Sequence, residues 1–289
     1  MDQPHKPAAR ESRKQESGIR IGVIAERRYL AQAQPGGMMA ALEARGTEVV
    51  LIDPEGGCYE PGSNGWLAGL DVVIARGRSW GVLCLLSWVE AQGVPVINSR
   101  AAVGAVHNKA DMAVALASAG IPTPRTMLGS VAHIAQSISE NEFPLILKPV
   151  FGDNCKGLRI VSSREELLAL NWPEPFALAQ AFIPGSEYDL KLYCIGSDVW
   201  AVHKPSLLYA TNTEQRQPVL LPATPALRAL ARRCGEVFGL ELFGVDCINT
   251  PSGPVVIEVN EFPNYSAVPE AGDRLAEYVM SRARQEVAA

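Results

Sequence analysis

Three oxygen-bearing side chains late in the sequence, Asp246, Glu258 and Asn260, are spaced for metal chemistry. They fall in two short β-branched, apolar runs, 242–248 and 255–260. The residues between, Thr250-Pro251-Ser252-Gly253-Pro254, cannot continue a strand and read as a turn. A hairpin centred on Ser252 sets Asp246 opposite Glu258, and strand alternation puts Asn260 on the face of Glu258. Two carboxylates and an amide on one patch of sheet suit Mg²⁺. This cation takes oxygen ligands and needs only one or two protein carboxylates when substrate phosphates supply the rest. A half-exposed hairpin whose polar face meets water shows the same alternation, so the hairpin alone leaves both readings open.

Positive groups stand in unfavourable places. Lys148 lies inside an apolar strand, 144–149, where an unpaired ammonium is costly to bury and a bound triphosphate would remove that cost. Lys109 stands in the first turn of a helix over 107–119, with Asn108 as N-cap and Asp111 in the first turn. The helix dipole disfavours a cation there by roughly a few tenths of a kcal/mol, a weak pointer to a compensating anion. The loop from Gly152 to Gly157 suits closure over phosphates through backbone N–H donors, although an ordinary hairpin turn would look the same. Asp189 and Lys191, two apart, share a strand face and read equally as ligand contacts or as an exposed ion pair.

The elements that must position these groups follow an alternating pattern. Strands are expected over 19–25, 48–52, 71–75 and 94–98, with helices over 37–45 and 82–92 between them. That alternation implies a parallel sheet, whose ligands collect beyond the carboxyl ends of the strands. Arg76, Arg78, Ser79, Asn98 and Ser99 sit at such ends, and Arg76 reads as a substrate or phosphate contact or as a surface arginine. Further on, amphipathic helices are expected over 225–238 and 272–285. The four histidines show no ligand spacing; only His203, beside Lys204, lies near a segment of interest.

Composition narrows the class. A chain of 289 residues, 47% hydrophobic and 20% charged, has the make-up of a globular protein large enough for more than one domain. A formal charge of −5 gives no basic footprint for nucleic acid. Six scattered cysteines without a CxxC pair read as reduced thiols, mostly in the core, of a cytoplasmic protein. No secretory leader or membrane-spanning run is expected, and residues 1–18 read as a disordered tail.

The stretch Asn108-Lys109-Ala110-Asp111-Met112, its helix, and Ala119-Gly120-Ile121-Pro122-Thr123-Pro124 resemble the entry to the ATP-grasp domain of RimK-like ligases. Gly244-Val245-Asp246 followed by Glu258-Val259-Asn260 is similar to the metal-binding end of ATP-grasp enzymes. The resemblance implies phosphate contacts for Lys109, Lys148, Gly152 and Gly157, and an adenine edge read by the main chain around Gln180, Phe182 and Ile183. It places Asp189 and Lys191 on the ribose and phosphate side, and gives the metal to Asp246, Glu258 and Asn260. Arg76, Lys204, Asn212 and Arg216 become candidates for the acyl phosphate or substrate carboxylates.

This chain departs from the RimK-like pattern at Cys155, where a glycine is usual, and at Ala181, where a glutamate often follows the glutamine. Near Arg216 the motif is shifted by one residue and its paired glycines are missing. Lys204-Pro205-Ser206-Leu207 and Phe262-Pro263-Asn264-Tyr265 instead resemble inositol trisphosphate 5/6-kinases. The implied fold is α/β and α+β: an ATP-grasp fold with an N-terminal parallel-sheet domain over 19–104, then halves over 105–180 and 181–289. The implied activity is an ATP-dependent carboxylate–amine ligase working through an acyl phosphate. It would use ATP and two Mg²⁺ ions, replaceable by Mn²⁺, on small-molecule or peptide substrates, with no nucleic acid or membrane partner; many relatives self-associate, which leaves a homo-oligomer open. A kinase acting on a polyol hydroxyl and a non-catalytic nucleotide-binding protein are the alternatives.

Overall fold

The computed structural model describes residues 18–152, 157–206, 208 and 216–288. The expected tail up to residue 17, loop residues 153–156 with Cys155, and Asn212 with its neighbours Thr211 and Thr213 lie outside the described residues. Two compact units divide the chain: residues 1–97 with 270–289, and residues 98–269.

The first unit is a four-stranded parallel sheet in the order β2-β1-β3-β4, with β1 Arg20–Ala25, β2 Glu48–Ile52, β3 Val72–Arg76 and β4 Val96–Ile97. Its central strands are apolar and β-branched because both faces are covered; Ile21, Val23, Ile24 and Val72 to Ile74 are all fully buried. Helix α1 (Ala33–Ala44) precedes β2, and α2 (Trp80–Ala91) precedes β4. The C-terminal helix Ala271–Ala288 belongs to this unit, held to α1 by Arg45, whose guanidinium lies 2.9 Å from Asp273.

The second unit carries α3 (Arg100–His107) and α4 (Lys109–Ser118), then a four-stranded sheet and a five-stranded sheet. The four-stranded sheet runs β5-β8-β6-β7, built from β5 Thr126–Gly129, β6 Leu145–Lys148, β7 Arg159–Val161 and β8 Ala177–Ala181. One of its faces packs Leu145, Leu147, Val161, Ala177 and Ala179 against α5 (Val131–Ser137) and α6 (Arg164–Ala169). The five-stranded sheet runs β11-β10-β9-β12-β13, from β9 Tyr188–Ile195, β10 Asp198–Pro205, β11 Val219–Leu221, β12 Leu242–Thr250 and β13 Gly253–Glu261. Its inner face, including Leu190, Leu192, Cys194, Val245, Cys247, Val256 and Val259, is covered by α3, α4 and α7 (Pro225–Phe238).

Local signals explain the boundaries. Thr224 caps α7, Pro225 opens it, and Gly239 in the left-handed region closes it. Helix α3 has no counterpart among the sequence expectations. Ser99, expected at a ligand-binding strand end, is its N-cap and accepts from Ala102 N–H. Asn98 is likewise structural: its buried amide bonds the backbone of Glu241 and Leu242 at 2.7–3.0 Å. Cys194, Cys234 and Cys247 are core thiols as expected, while Cys58 and Cys84 are exposed. No helix among the described residues is long and apolar enough to cross a membrane.

Candidate functional site

The open face of the five-stranded sheet is lined by side chains that alternate away from the core. Cross-strand pairing sets Lys191 beside Asp246 and Asp246 beside Glu258, so β9, β12 and β13 each contribute one charge to a single row. The next row pairs Tyr193 with Gly244 and Gly244 with Asn260. On the other side, Lys204 of β10 faces Asp189 of β9. Gly244 leaves room for a close approach, since a Cβ at that position would lie 3.1 Å from the Pro263 ring.

The Asp246–Glu258 pairing expected from the sequence is present, but a different turn produces it. Thr250 pairs with Gly253 across a two-residue turn at Pro251-Ser252, and Cys247 pairs with Val256. Without interruption that register would set Asp246 against Ile257. A β-bulge takes up Ile257 as one extra residue, and the phase of β13 changes. Val256 and Val259 therefore both face the core, while Glu258 and Asn260 both face Asp246.

Each carboxylate of the row has a cationic partner. Lys191 Nζ lies 2.8 Å from Asp246 Oδ1, and Asn260 donates its amide N–H to Asp246 Oδ2 at 3.0 Å. Lys109 Nζ lies 2.9 Å from Glu258 Oε1 and donates to the Gly152 carbonyl at 2.6 Å. Lys109 reaches these groups from the first turn of α4, where the Asn108 side chain accepts from the N–H groups of Ala110 and Asp111 as expected. Its own N–H donates to the Val150 carbonyl, which ties the helix start to the segment after β6.

The open face of the four-stranded sheet is mostly apolar. Strand register aligns Thr126, Gln180, Ile146 and Ile160 in one row, and Leu128, Leu178 and Lys148 in the next. A pocket of about 240 Å³, counting space open to solvent, is lined on the polar side by Lys109, Thr123, Lys148 and Gln180. Its apolar lining includes Met112, Leu116, Leu178 and Ile257. Gln180 is buried in it; Nε2 donates to Thr126 Oγ1 at 3.0 Å, while Oε1 has no hydrogen-bond partner. Ile257 is the bulge residue, and sequence alternation carried no sign that it lines a pocket.

The electrostatics are those of crowded charges. Burial is the largest single influence on the Lys191 ammonium and disfavours it, but Asp246, Tyr193 and Glu258 together raise the pKa well above the ordinary lysine range. Lys204 is lowered, first by the charge of Lys191 and then by burial. The Asp189 carboxyl is raised, mainly by burial, against a hydrogen bond donated by the Ser206 hydroxyl. Ser206, part of the kinase-like Lys204-Pro205-Ser206-Leu207 stretch, is itself buried.

Other candidates lie elsewhere or are engaged. Arg76 belongs to the first unit, where its guanidinium sits 3.9 Å over the Tyr29 ring and donates to Gln32. There the buried Glu26 carboxylate accepts the N–H groups of Arg78 and Ser79, and Gly77 at φ 146 passes where a Cβ would strike Glu26. Arg216 forms a two-pronged pair with Glu187 and lies against the Tyr188 ring, not in the lysine–carboxylate row. Phe182 donates its N–H to the Pro144 carbonyl, and Gly157 holds a left-handed turn against Pro149. Phe262 and Tyr265, from the kinase-like segment, are buried rings in left-handed backbone, with the Tyr265 hydroxyl donating to the Cys194 carbonyl.

The donor set fits a divalent cation. Among the described residues no three His, Cys, Asp or Glu side chains gather as a ligand group, so protein carboxylates would number two, with the Asn260 amide beside them. Asp246 Oδ1 is buried and receives no well-aligned hydrogen bond, with the Lys191 ammonium 2.8 Å away.

The chain is similar in sequence and fold to several known proteins. A probable alpha-L-glutamate ligase of Legionella pneumophila (strain Corby) is 28% identical over 302 aligned positions, covering 92% of this chain and 97% of the relative. The crystal structure of a RimK domain protein ATP-grasp from Sphaerobacter thermophilus superposes with a TM-score of 0.70 at 23% identity, covering 90% and 99% of the two chains. D-alanine–D-alanine ligase from Bacillus anthracis, solved with ATP, gives 0.69 at 17% identity, covering 94% and 99%. The profile of the ATP-grasp domain matches residues 106–263, which include the five-stranded sheet's lysine–carboxylate row and the pocket, and the chain belongs to the ATP-grasp family.

Proposed function

We propose that the protein is an ATP-dependent carboxylate–amine ligase working in the cytoplasm, and that the row Lys191–Asp246–Glu258 with Lys109 is its phosphate and metal centre. The observation that carries this reading is the convergence of Lys109 on both the row and the Lys148 pocket. ATP-grasp ligases use ATP and divalent metal ions in general. In this chain Asp246, Glu258 and Asn260 would hold Mg²⁺. When bound, that ion supplies charge neutralisation and orientation at the phosphates.

The chain's own residues do the rest. Lys109, Lys148 and Lys191 bind the phosphates, and Gly152 and Gly157 bound the loop expected to close over them. Gln180, with the main chain of Phe182 and Ile183, takes the adenine, and Asp189 takes the ribose. A substrate carboxylate oxygen attacks the γ-phosphorus of ATP, the bond to the ADP oxygen breaks, and an acyl phosphate forms. An amine then attacks the acyl carbon and phosphate leaves, giving the amide. Positioning and charge neutralisation supply the catalysis, with Lys204, Asn212 and Arg216 as residues for the substrate carboxylate and the acyl phosphate.

Ligase homologues act on small-molecule or peptide substrates. The relatives named probable alpha-L-glutamate ligase make L-glutamate the first amine to test. An acyl phosphate is open to any good nucleophile, whereas a phosphorylated hydroxyl is not. With ATP, Mg²⁺, a panel of carboxylates and hydroxylamine, the protein should release ADP and form a hydroxamate. Transfer of γ-phosphate to a stable phosphomonoester without hydroxamate would replace the ligase by a kinase.

A further inference from the structure

We propose that Lys109 and Lys191 are resident counter-cations of the metal carboxylates, so that the site takes a divalent ion together with a nucleotide and not ahead of it. The proposal rests on the ligase reading for the identity of the metal site and adds how that site is guarded.

Both carboxylates of the row are already neutralised by ammonium groups within 3 Å: Lys109 Nζ lies 2.9 Å from Glu258, and Lys191 Nζ lies 2.8 Å from Asp246. Neither pair is a loose surface contact, since the side chains of Lys109 and Lys191 are only 10% and 16% exposed. Little water is available there to screen a third positive charge. A divalent ion arriving alone would have to share its oxygens with two ammoniums or displace them. Displaced, they have poor alternatives on this face. Lys204 stands near Lys191 with the same charge, and the neighbouring carboxylate Asp189 already faces Lys204 and accepts from Ser206.

A polyphosphate changes the balance. It brings several negative charges to a pocket that Lys109 and Lys148 already line, and gives the displaced ammoniums a new partner. Each lysine would then exchange a carboxylate for a phosphate as the cation takes the carboxylate. Metal and nucleotide binding become linked, each strengthening the other. The arrangement also keeps Asp246 and Glu258 from holding free cations between turnovers.

The test is Mn²⁺ binding to the full chain without nucleotide, followed by the electron paramagnetic resonance signal of the free ion. Lys109→Met and Lys191→Met should each bind Mn²⁺ alone at least about tenfold more tightly than wild type, because a carboxylate loses its built-in partner. Adding Asp246→Asn to either variant should abolish the gain, which places it at the row. Lys109→Gln and Lys191→Gln repeat the measurement should a methionine variant fail to fold. Variants that bind Mn²⁺ no better than wild type would overturn the proposal, as would a gain that survives Asp246→Asn. Binding of a non-hydrolysable ATP analogue to wild type is measured alongside. Its failure would count against the nucleotide reading, whereas a missing Mn²⁺ gain with intact analogue binding would count against the lysine exchange alone.

Discussion

The two antiparallel sheets of residues 98–269 are built alike on one side and differently on the other. Each packs one face of alternate apolar residues against helices: Leu145, Leu147 and Ala179 in the four-stranded sheet, and Leu192, Val245 and Val259 in the five-stranded sheet. Their open faces diverge. The five-stranded sheet presents Asp189, Lys191, Lys204, Asp246, Glu258 and Asn260, whereas the four-stranded sheet presents Ile146, Ile160, Leu128 and Leu178 with Lys148 and Gln180. Packing requires only one face of each strand, so the other is free to carry chemistry. Dense alternating charge suits phosphates and a cation, and an apolar surface with two polar groups suits a flat base.

The sharpest way to break this comparison is at the charged face. Glu258→Gln keeps the shape and removes one charge, and should lower ADP release by about 10²–10³-fold, the scale seen when a single group at a charge-stabilising site is lost. A fully active variant would mean that the row is not a metal centre. The apolar face should respond less. Gln180→Leu removes a buried carbonyl oxygen that has no hydrogen-bond partner together with the Nε2 hydrogen bond to Thr126, two opposed effects, so the stability of the free protein should change little. Its affinity for ATP should fall by about tenfold, the worth of one hydrogen bond to a base. Stability lost with nucleotide affinity unchanged would make Gln180 a structural residue only.

The smallest effect concerns Asp189. Its carboxyl is raised from 3.8, chiefly by burial, so the folded protein holds that proton more tightly than the unfolded chain. The associated stabilisation is complete below pH 3.8 and is lost as pH rises through the folded pKa. Asp189→Asn cannot ionise, so thermal unfolding of the variant should gain on wild type as pH rises across that window. A wild type that gains on the variant instead would show that Lys204 and Lys191, not burial, set the charge of Asp189.

What was legible in the sequence follows the same division. Alternation in β12 and β13, the N-cap at Asn108 and the βαβ pattern of the first unit are local signals, and the elements they imply are present. The bulge at Ile257 was not legible. It depends on α4 packing under one phase of β13 while the charged row demands the other, and no short-range pattern records both. Asn98 and Ser99 misled because a polar pair at a strand end looks the same whether it binds a ligand, caps α3 or staples Leu242. The C-terminal helix read as amphipathic, but its partner α1 lies more than two hundred residues earlier in the chain, and periodicity carries no address.

The central claim is that the charged row and the apolar pocket receive one nucleotide between them, with Lys148 as the cation of the pocket side. Calorimetric titration of a non-hydrolysable ATP analogue with Mg²⁺ into wild type and Lys148→Ala tests it most directly. The account predicts that affinity falls by about 10- to 100-fold, the loss of one charged hydrogen bond, with the thermal unfolding of the nucleotide-free protein little changed. Equal affinity in a folded Lys148→Ala protein would contradict it.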